Sequence, residues 1–506
     1  MLSKVYSYGL VGLCGFLVTV EASVTKGIGT FSLVGLPDAA VKESQERVRS
    51  AIQHSGATYP VANTVLNLAP ADQRKEGTLY DLPIALAILQ ASGQVRALSS
   101  DCIVLGELAL DGTVRAVNGI LPMVIDAFAH GYRNFYLPAD NVAEASYLDG
   151  ASVYPVRSLA QLLRHIRDVE PIEPVQTRVF SGKLTHSRFD FSEIKGQAAA
   201  KRAAEVAVAG GHNMLLCGTP GSGKTMLARA IPSILPEMTF EEALEVTKIH
   251  SVTGATKGGV GLITDRPFRA PHHGASAAAL IGGGAKALPG EISLAHNGVL
   301  FLDEFPEFQR SVLESLRQPL EDGEVTVSRA MATATYPARF MLIAAMNPCP
   351  CGNRGSRTKP CTCSPSAIHR YAARISGPLL DRIDLHIEMT EVGYSEITER
   401  KPAESSEAIR ARVARARAIQ AKRFENDGIR LNAQMNGELL RKYCVPTEES
   451  ERILRNAFNK LQLSARAYQR VLKVARTIAD LAESEKILPQ HYAEAIQYRS
   501  MELLKV

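Results

Sequence analysis

Short apolar runs alternate with amphipathic stretches over the first third of the chain. Residues 43–52 carry apolar side chains at helical spacing, and residues 81–89 are apolar on almost every side, which is typical of a buried helix. Residues 103–108 and 134–138 are short and rich in β-branched or aromatic side chains, so they predict strands. Residues 9–24 favour a first strand or hairpin. The pattern therefore predicts a front region of mixed α and β structure.

The middle of the chain contains apolar runs of strand length that end in polar residues, at 213–217, 298–302 and 341–346. A helical run at 225–230 follows the first of them. Beyond about residue 400 the periodicity is almost wholly helical. Strands that alternate with helices in this way are typical of an α/β fold with a parallel sheet.

The polar, irregular stretch at 166–190 has the composition of a linker. The pattern as a whole predicts a front α+β domain, the linker, an α/β core with a cysteine-rich insert, and a helical C-terminal region that forms a lid. The predicted bounds are 1–165, 166–190, 191–395 with the insert at 349–363, and 396–506.

Composition narrows the class of protein only slightly. The length of 506 residues suits about three domains. A net charge of +5 neither requires nor excludes a polyanionic partner. An apolar run at 9–20 is followed at once by Glu21 and preceded by little positive charge, so we do not interpret it as a secretion signal. No run reaches the roughly 18 apolar residues of a membrane span. We expect a cytoplasmic protein with no membrane partner.

The strongest chemical signal is the sequence G-T-P-G-S-G-K-T between a predicted strand and a predicted helix. In this pattern backbone N–H groups surround phosphates, the lysine contacts the β and γ oxygens, and the threonine hydroxyl binds Mg²⁺. The phosphates then lie at a helix N-terminus. The predicted nucleotide-binding residues are Gly218, Thr219, Pro220, Gly221, Ser222, Gly223, Lys224 and Thr225.

A second acidic motif supports the first one. The apolar run at 299–302 ends in Asp303 and Glu304. We expect Asp303 to hold the Mg²⁺ shell and Glu304 to polarise the attacking water. Together the two motifs predict that the chain binds and hydrolyses ATP, with Mg²⁺ as cofactor.

Further residues resemble the parts of a P-loop ATPase of the AAA+ class. Residues 191–197 resemble the segment that lines the adenine pocket. Asn347 ends a predicted strand and resembles sensor 1, which orients the hydrolytic water, although a turn-former before a proline is an alternative. Arg382 resembles an arginine finger supplied by a neighbouring subunit, with Arg374 in reserve. Arg466 resembles sensor 2, which contacts the γ-phosphate from the lid, or is a solvated helix arginine.

Longer segments of the sequence resemble one branch of the AAA+ class. The segments P-H-H-G-A-S at 271–276 and P-G-E-I-S-L-A-H-N-G at 289–298 resemble the magnesium-chelatase branch. V-G-L-P-D-A-A-V-K-E at 34–43 and N-L-A-P-A-D at 67–72 resemble the ComM/YifB family, bacterial chelatase-like ATPases linked to natural transformation. The resemblance covers nearly the whole chain.

The front domain resembles the proteolytic domain of Lon-type proteases without its catalytic pair. Thr78 and Leu79 stand where the nucleophilic serine segment is expected, and no lysine lies between Arg115 and Arg133. Peptide hydrolysis by a serine–lysine pair needs a hydroxyl activated by an amine. We therefore expect this domain to be a scaffold or to face nucleic acid, without peptidase activity.

Four cysteines lie within fifteen residues, directly after Asn347. Four thiolates can surround Zn²⁺ tetrahedrally, although the one-residue gaps are tighter than the usual spacing. A reduced cysteine-rich loop without metal is the alternative. The predicted zinc ligands are Cys349, Cys351, Cys361 and Cys363.

An arginine that acts across a subunit boundary implies a ring, and we expect a homohexamer. The family resemblance implies a DNA motor, a helicase that promotes branch migration during recombination in natural transformation, with single-stranded or branched DNA and recombination proteins as partners. A chelatase-like or protein-remodelling ATPase that acts on a protein partner is the alternative. Loops at 269–284 and 323–329 are candidate pore elements. Four basic side chains in or next to them either contact phosphate or are ordinary loop polarity. These side chains are His272, His273, Lys286 and Arg329.

Overall fold

The computed structural model describes residues 1–182, 189–256, 261–284, 286–329, 332–393 and 403–499. Within these ranges the strands are, in chain order, β1 Leu2–Val11, β2 Cys14–Thr25, β3 Phe31–Val34, β4 Asn63–Ala69, β5 Cys102–Val104, β6 Glu107–Leu108, β7 Val114–Arg115, β8 Asn134–Pro138, β9 Ser152–Val156, β10 Met214–Gly218, β11 Phe268–Arg269, β12 Gly282–Gly283, β13 Leu288–Pro289, β14 Val299–Leu302, β15 Glu324–Arg329, β16 Ala332–Pro337, β17 Met341–Met346 and β18 Leu385–Met389.

The α-helices of the described ranges, also in chain order, are α1 Ala39–Lys42, α2 Ser44–His54, α3 Asp81–Ala91, α4 Ile120–Ala129, α5 Val142–Ala145, α6 Leu159–Ile166, α7 Ala198–Gly210, α8 Lys224–Ile234, α9 Phe240–Thr253, α10 Ala277–Ile281, α11 Glu291–Leu294, α12 Arg310–Ser315, α13 Arg317–Asp322, α14 Pro365–Ala372, α15 Gly377–Leu380, α16 Ser406–Arg423, α17 Gly437–Tyr443, α18 Glu448–Leu461, α19 Ala465–Leu481 and α20 Pro489–Gln497.

The front region is built on a four-stranded sheet with the order β1-β2-β4-β3. The first two strands form the predicted hairpin, with Gly12 and Leu13 between the paired residues Val11 and Cys14. Gly12 has φ +63°, which glycine adopts readily at the first position of a two-residue hairpin turn. The predicted buried helix is confirmed as α3, which packs on β1 and β2 and is buried at every position.

The middle region is built on a five-stranded parallel sheet with the order β11-β14-β17-β10-β18, as the apolar runs predict. Alternate residues of its central strands join two different cores. Leu216 and Ile343 pack in the core under α7 and α8, whereas Leu215 and Leu342 pack in the core under the hairpin β15–β16. Because both faces are covered, these strands are apolar at successive positions rather than alternating.

The C-terminal helices continue the core of the sheet. The helix α16 packs on α7 and α8, and its Val413 shares an apolar cluster with Leu216. Among the described residues, no helix combines the length and the apolar composition that crossing a membrane requires.

Two arginines of α16 are paired with groups on α7. The guanidinium of Arg417 donates to the Val208 carbonyl oxygen from two nitrogens, at 2.7 and 3.1 Å. Arg412 lies 2.5 Å from the carboxylate of Glu205 on α7. These side chains hold α16 on the helix that covers the middle sheet.

The front region contacts the middle region at the tip of its first hairpin and, among other places, around Glu144. Gly12, at the tip of the β1–β2 hairpin, lies against β16, and a Cβ on it would lie 2.7 Å from the Cβ of Ala334. The buried carboxyl group of Glu144 accepts hydrogen bonds from Asn141 and Thr256, both at 2.9 Å. Because Thr256 follows α9, the second contact joins the two regions through a buried polar group.

We expect Glu144→Gln to raise the melting temperature relative to the wild type by more at about pH 8 than at about pH 5. Burial raises the pKa of Glu144, so the folded protein binds this proton more tightly than the unfolded chain does. The stability of the wild type therefore falls as the pH rises from the unfolded pKa through the folded pKa, whereas a carboxamide shows no such loss.

Thermal unfolding of both proteins at the two pH values measures this difference. Substitution of the exposed Glu449 by glutamine is the matched control and is expected to change neither value. An equal effect of Glu144→Gln at both pH values contradicts a raised pKa of the Glu144 carboxyl group.

Candidate nucleotide-binding site

The predicted phosphate loop connects the central strand β10 to α8. Gly221 and Gly223 have φ +81° and +92°, the left-handed region that favours glycine. A Cβ on Gly218 would lie 2.5 Å from the Met389 carbonyl oxygen on the neighbouring strand β18. The loop therefore needs glycine for its backbone conformation and for its close approach to β18.

Two hydroxyl groups in this loop fit a ligand. Within the described part of the chain, the buried hydroxyl oxygens of Thr219 and Ser222 have no hydrogen-bond partner. Buried polar atoms are nearly always paired, so such atoms indicate a missing partner. A phosphate at the N-terminus of α8 supplies acceptors at this place.

Lys224 connects the loop to the end of the neighbouring strand β17. Its ammonium group donates to the carbonyl oxygens of Gly218 at 2.6 Å and Thr219 at 2.9 Å. It also lies 3.3 Å from the side-chain oxygen of Asn347. Burial lowers the pKa of Lys224. The structure thus brings the predicted phosphate-binding lysine and the predicted sensor together.

Thr225 and Asp303 meet at the same edge of the sheet. The Thr225 hydroxyl donates to a carboxylate oxygen of Asp303 at 2.8 Å. Hydroxyl and carboxylate oxygens are ligands that Mg²⁺ accepts together with phosphate oxygens and water. The pair therefore fits the predicted magnesium shell.

Glu304 has an unusual backbone and a partner that the sequence analysis missed. Its φ is +51°, a left-handed conformation that is uncommon for a residue other than glycine. Its carboxylate lies 2.8 Å from Nδ1 of His273. His273 was expected either to contact phosphate in the pore or to be ordinary loop polarity, but its partner is the predicted water-polarising group. The signal that could have indicated this contact was the position of His273 just after β11. The neighbouring strand β14 leads to Glu304.

Gln197 is a further residue at this edge. It has φ +56°, and its amide donates to the carbonyl oxygens of Ser222 at 3.0 Å and Thr390 at 2.6 Å. It therefore fastens the phosphate loop to the end of β18. The sequence analysis placed Gln197 in the segment predicted to line the adenine pocket but gave it no role of its own.

Arg382 lies at the opposite edge of the sheet. Its backbone carbonyl accepts a hydrogen bond from the Asn213 amide at 3.0 Å, and Asn213 immediately precedes β10. A five-residue strand spans about 16 Å, so Arg382 is a strand's length from the phosphate loop of its own chain. The guanidinium is 5% exposed and paired with Glu321. As an arginine finger, Arg382 stays a prediction, and its side chain has to leave Glu321 to act.

Arg466 is not brought to the phosphate loop of its own chain either. Ser464, which begins the same helix α19, donates to the Asp381 carboxylate at 3.4 Å. The pKa of Glu321 is lowered by its hydrogen bond to Arg382 and, to a smaller extent, by Arg466. Arg466 therefore lies with Arg382, and its contact with a γ-phosphate stays a prediction.

Arg374, the reserve candidate for the arginine finger, lies at the nucleotide edge. Its guanidinium is 2.6 Å from the carboxylate of Glu307, three residues after Glu304. Both side chains of this ion pair are about half exposed. Arg374 is therefore accessible to a neighbouring molecule in a way that Arg382 is not.

The four predicted zinc ligands also come together. The sulfur atoms of Cys349, Cys351, Cys361 and Cys363 all lie within 4.8 Å of one another. The Cys349 sulfur is 3.4 Å from that of Cys351 and 3.6 Å from that of Cys361. Backbone N–H groups of Asn353 and Thr362 lower the pKa of Cys351. Four converging sulfur atoms are the donor set of a structural zinc site, so these residues fit Zn²⁺.

Three family models match the chain in succession. The model of subunit ChlI of Mg-chelatase matches residues 20–141, that of magnesium chelatase, subunit ChlI, residues 190–397, and that of the ChlI C-terminal region residues 403–499. With the parallel sheet and the phosphate loop, these matches define a magnesium-chelatase-like ATPase of the AAA+ class.

The chain is 44% identical over 512 residues to the competence protein ComM of Haemophilus influenzae, covering 99% of this chain and 98% of that protein. It is also 44% identical over 509 residues to YifB of Escherichia coli, covering 100% and 98%. A more distant match, 22% identical over 59% of this chain, is the DNA replication licensing factor mcm-6 of Caenorhabditis briggsae. The chain belongs to the ComM/YifB family of magnesium-chelatase-like proteins.

We expect Lys224→Ala and Asn347→Ala to affect different steps. Loss of the Lys224 ammonium removes a phosphate contact and weakens nucleotide binding. Loss of the Asn347 amide leaves binding intact but lowers the turnover of ATP about a hundredfold, since one positioned polar group is lost from the transition state. Steady-state ATPase kinetics and titration with a fluorescent ADP analogue separate the two effects.

The exposed Asn459 on α18 offers the matched control, because Asn459→Ala is expected to leave both measurements unchanged. Weakened nucleotide binding with normal turnover in Asn347→Ala contradicts the role of Asn347 and favours a turn-forming residue.

Proposed function

We propose that the protein is a ring-forming ATPase that drives a DNA helicase activity and promotes branch migration during homologous recombination in natural transformation. One observation supports the proposed ring. Lys224, Asp303 and Asn347 assemble at one edge of the sheet, whereas Arg382 and Arg466 lie at the other edge. One chain therefore holds the two parts of a catalytic site in separate places.

A neighbouring copy brings the two parts together. If the edge that carries Arg466 faces the phosphate loop of the next copy, each interface contains one complete site. Such an interface uses different surfaces on the two partners, and it closes into a ring when the rotation between copies allows it. We propose a hexamer, with ATP and Mg²⁺ bound between its subunits.

Two observations support DNA as the substrate. Among the relatives, ComM is named a competence protein and mcm-6 a DNA replication licensing factor. In addition, the hairpin β15–β16 presents two exposed pairs of hydroxyl groups, Thr326 with Thr335 at 3.0 Å and Ser328 with Thr333 at 3.1 Å. Hydroxyl groups are frequent donors to the phosphates and sugars of DNA. We propose this hairpin as a pore element.

The contacts in the front region favour a scaffold. The Thr78 hydroxyl donates to the carboxylate of Glu107. The buried ammonium group of Lys75 donates to the carbonyl oxygens of Pro70 and, at 2.8 Å, Gln73. The amine therefore points to backbone oxygens rather than to the Thr78 hydroxyl, which supports a domain without peptidase activity.

We further propose that Cys349, Cys351, Cys361 and Cys363 hold one Zn²⁺ as a structural ion. Their sulfur atoms converge as such a site requires. Elemental analysis under reducing conditions is expected to find about one zinc ion per chain. A cytoplasmic location and contacts with recombination proteins remain predictions that accompany this function.

The direct test is strand separation on forked DNA and branch migration on a three-stranded substrate. The wild type is expected to act in an ATP-dependent manner, and Lys224→Ala is expected to lose the activity. ATP hydrolysis that is independent of DNA and gives no strand separation favours the alternative, a chelatase-like or remodelling ATPase that acts on a protein.

Mixing of inactive variants tests the shared site. Lys224→Ala and Arg466→Ala are each expected to lose most ATP turnover. An arginine at the transferring phosphate raises kcat by about 10³-fold or more. In a mixture, an intact Lys224 meets an intact Arg466 at about a quarter of the interfaces of a randomly assembled ring. The mixture is therefore expected to recover up to about a quarter of the wild-type turnover.

Arg455, which is exposed and paired with Glu451 on its own helix, provides the control. Arg455→Ala is expected to keep full turnover alone. No recovery in the mixture, with ring assembly unchanged, contradicts a site completed by Arg466 of a neighbouring copy.

A further inference from the structure

The cysteine cluster lies between two parts of the nucleotide site. Cys349 follows Asn347 by two residues, at the end of β17. Cys363 directly precedes Ser364, the residue that caps the N-terminus of α14. The cluster therefore joins the strand that carries the predicted sensor to the helix that leads to Arg374.

The cluster also contacts the phosphate loop directly. Gly352, next to Cys351, has φ +79°, and its backbone packs on the ring of Pro220. A Cβ on Gly352 would lie 2.8 Å from Cγ of Pro220 and 3.9 Å from Cγ of Asn347. A turn closed by the Gly352 N–H and the Cys349 carbonyl oxygen, at 2.9 Å, holds this glycine in place.

A third contact fixes the loop between the two cysteine pairs. The Ser356 hydroxyl donates to one oxygen of the Glu391 carboxylate at 2.5 Å, and the Arg357 N–H donates to the other at 3.1 Å. Glu391 follows β18, the strand to which Gln197 fastens the phosphate loop. The cysteine loop thus contacts the ends of β10, β17 and β18.

The segment from 347 to 364 forms no helix or strand, although every residue of it is described. It cannot bury an apolar core of its own, and its order depends on the few contacts above and on the sulfur cluster. Binding of a metal to such a segment contributes directly to its folding free energy. Without the ion, the contacts of Gly352 and Asn347 with the phosphate loop lose their support.

We propose that Zn²⁺ at the four cysteines positions Asn347 and Pro220, so that nucleotide affinity and ATP turnover depend on metal bound at this cluster. The proposal rests on the proposed function, because it assigns a regulator to that same site. The cysteines act through Asn347 and the phosphate loop and are positioning residues. Loss of the ion by chelation then slows the ATPase without any change in its catalytic residues.

Three variants of the full-length protein test this proposal. Cys361→Ser removes one ligand. Gly352→Ala keeps all four ligands but places a methyl group against Pro220. Cys14→Ser, at an exposed cysteine in the front region, is the matched control. For each protein we measure the zinc content, the affinity for a fluorescent ADP analogue, and kcat and KM for ATP.

Cys361→Ser is expected to lose its zinc, to bind the ADP analogue about tenfold more weakly, and to show a kcat about tenfold lower, since small misplacements of positioning groups have effects of this size or larger. Gly352→Ala is expected to retain zinc and still bind the analogue more weakly. Cys14→Ser is expected to match the wild type in all measurements.

Loss of zinc from Cys361→Ser with unchanged nucleotide affinity and kcat overturns the proposal while leaving the proposed ATPase intact. A wild type that binds the analogue but never hydrolyses ATP, with or without DNA, overturns the proposed function instead, and the affinity measurements still decide the role of zinc. If Cys361→Ser does not fold, Gly352→Ala decides, because normal nucleotide affinity in that variant overturns the contact on which the proposal depends.

Discussion

The parallel register of the central sheet is the constraint on which the site depends. Leu302 of β14 and Leu215 of β10 are both paired with Ala344 of β17. The three strands run in the same direction, and all of them end at the same edge of the sheet, β14 at Leu302, β17 at Met346 and β10 at Gly218. The residues that follow each strand therefore meet at one edge, where Thr225 contacts Asp303 and Lys224 contacts Asn347. A slip of one residue in any strand would exchange its two faces and separate these pairs.

The same register aligns the beginnings of the strands at the other edge. The Asn213 side chain accepts from the Leu342 N–H at 2.8 Å and donates to the Arg382 carbonyl oxygen. The buried Asp384 beside it is paired with Arg470 of the C-terminal helices at 2.9 Å. One amide and one carboxylate thus fix the loop that carries Arg382 and the helix α19 to the sheet.

The sequence was sufficient for the parts of the site that are contiguous or that end a strand. The phosphate loop, Asp303 and Asn347 carry their signal in local spacing, and parallel strands bring such residues together. The partners of Glu304 and Pro220 could not be found in this way. His273 and Gly352 lie far from them in sequence, and only the strand order and the path of the cysteine loop place them in contact.

Burial was equally hard to predict for the arginines. Periodicity placed Arg412 and Arg417 on one helix, but not the carboxylate of Glu205 and the Val208 carbonyl oxygen that receive them. Arg382 has the sequence context of a finger, yet its environment depends on Glu321, which lies on α13. Long basic side chains find partners across elements, so their exposure is a tertiary property.

The contact between Gly12 and Ala334 has a mechanical consequence. Because no space separates the tip of the front hairpin from β16, the hairpin β15–β16 cannot swing toward the front region without pushing it. A movement of this hairpin, which is proposed as a pore element that contacts DNA, therefore also displaces the front region. A force applied to the front region is transmitted to the hairpin through the same contact.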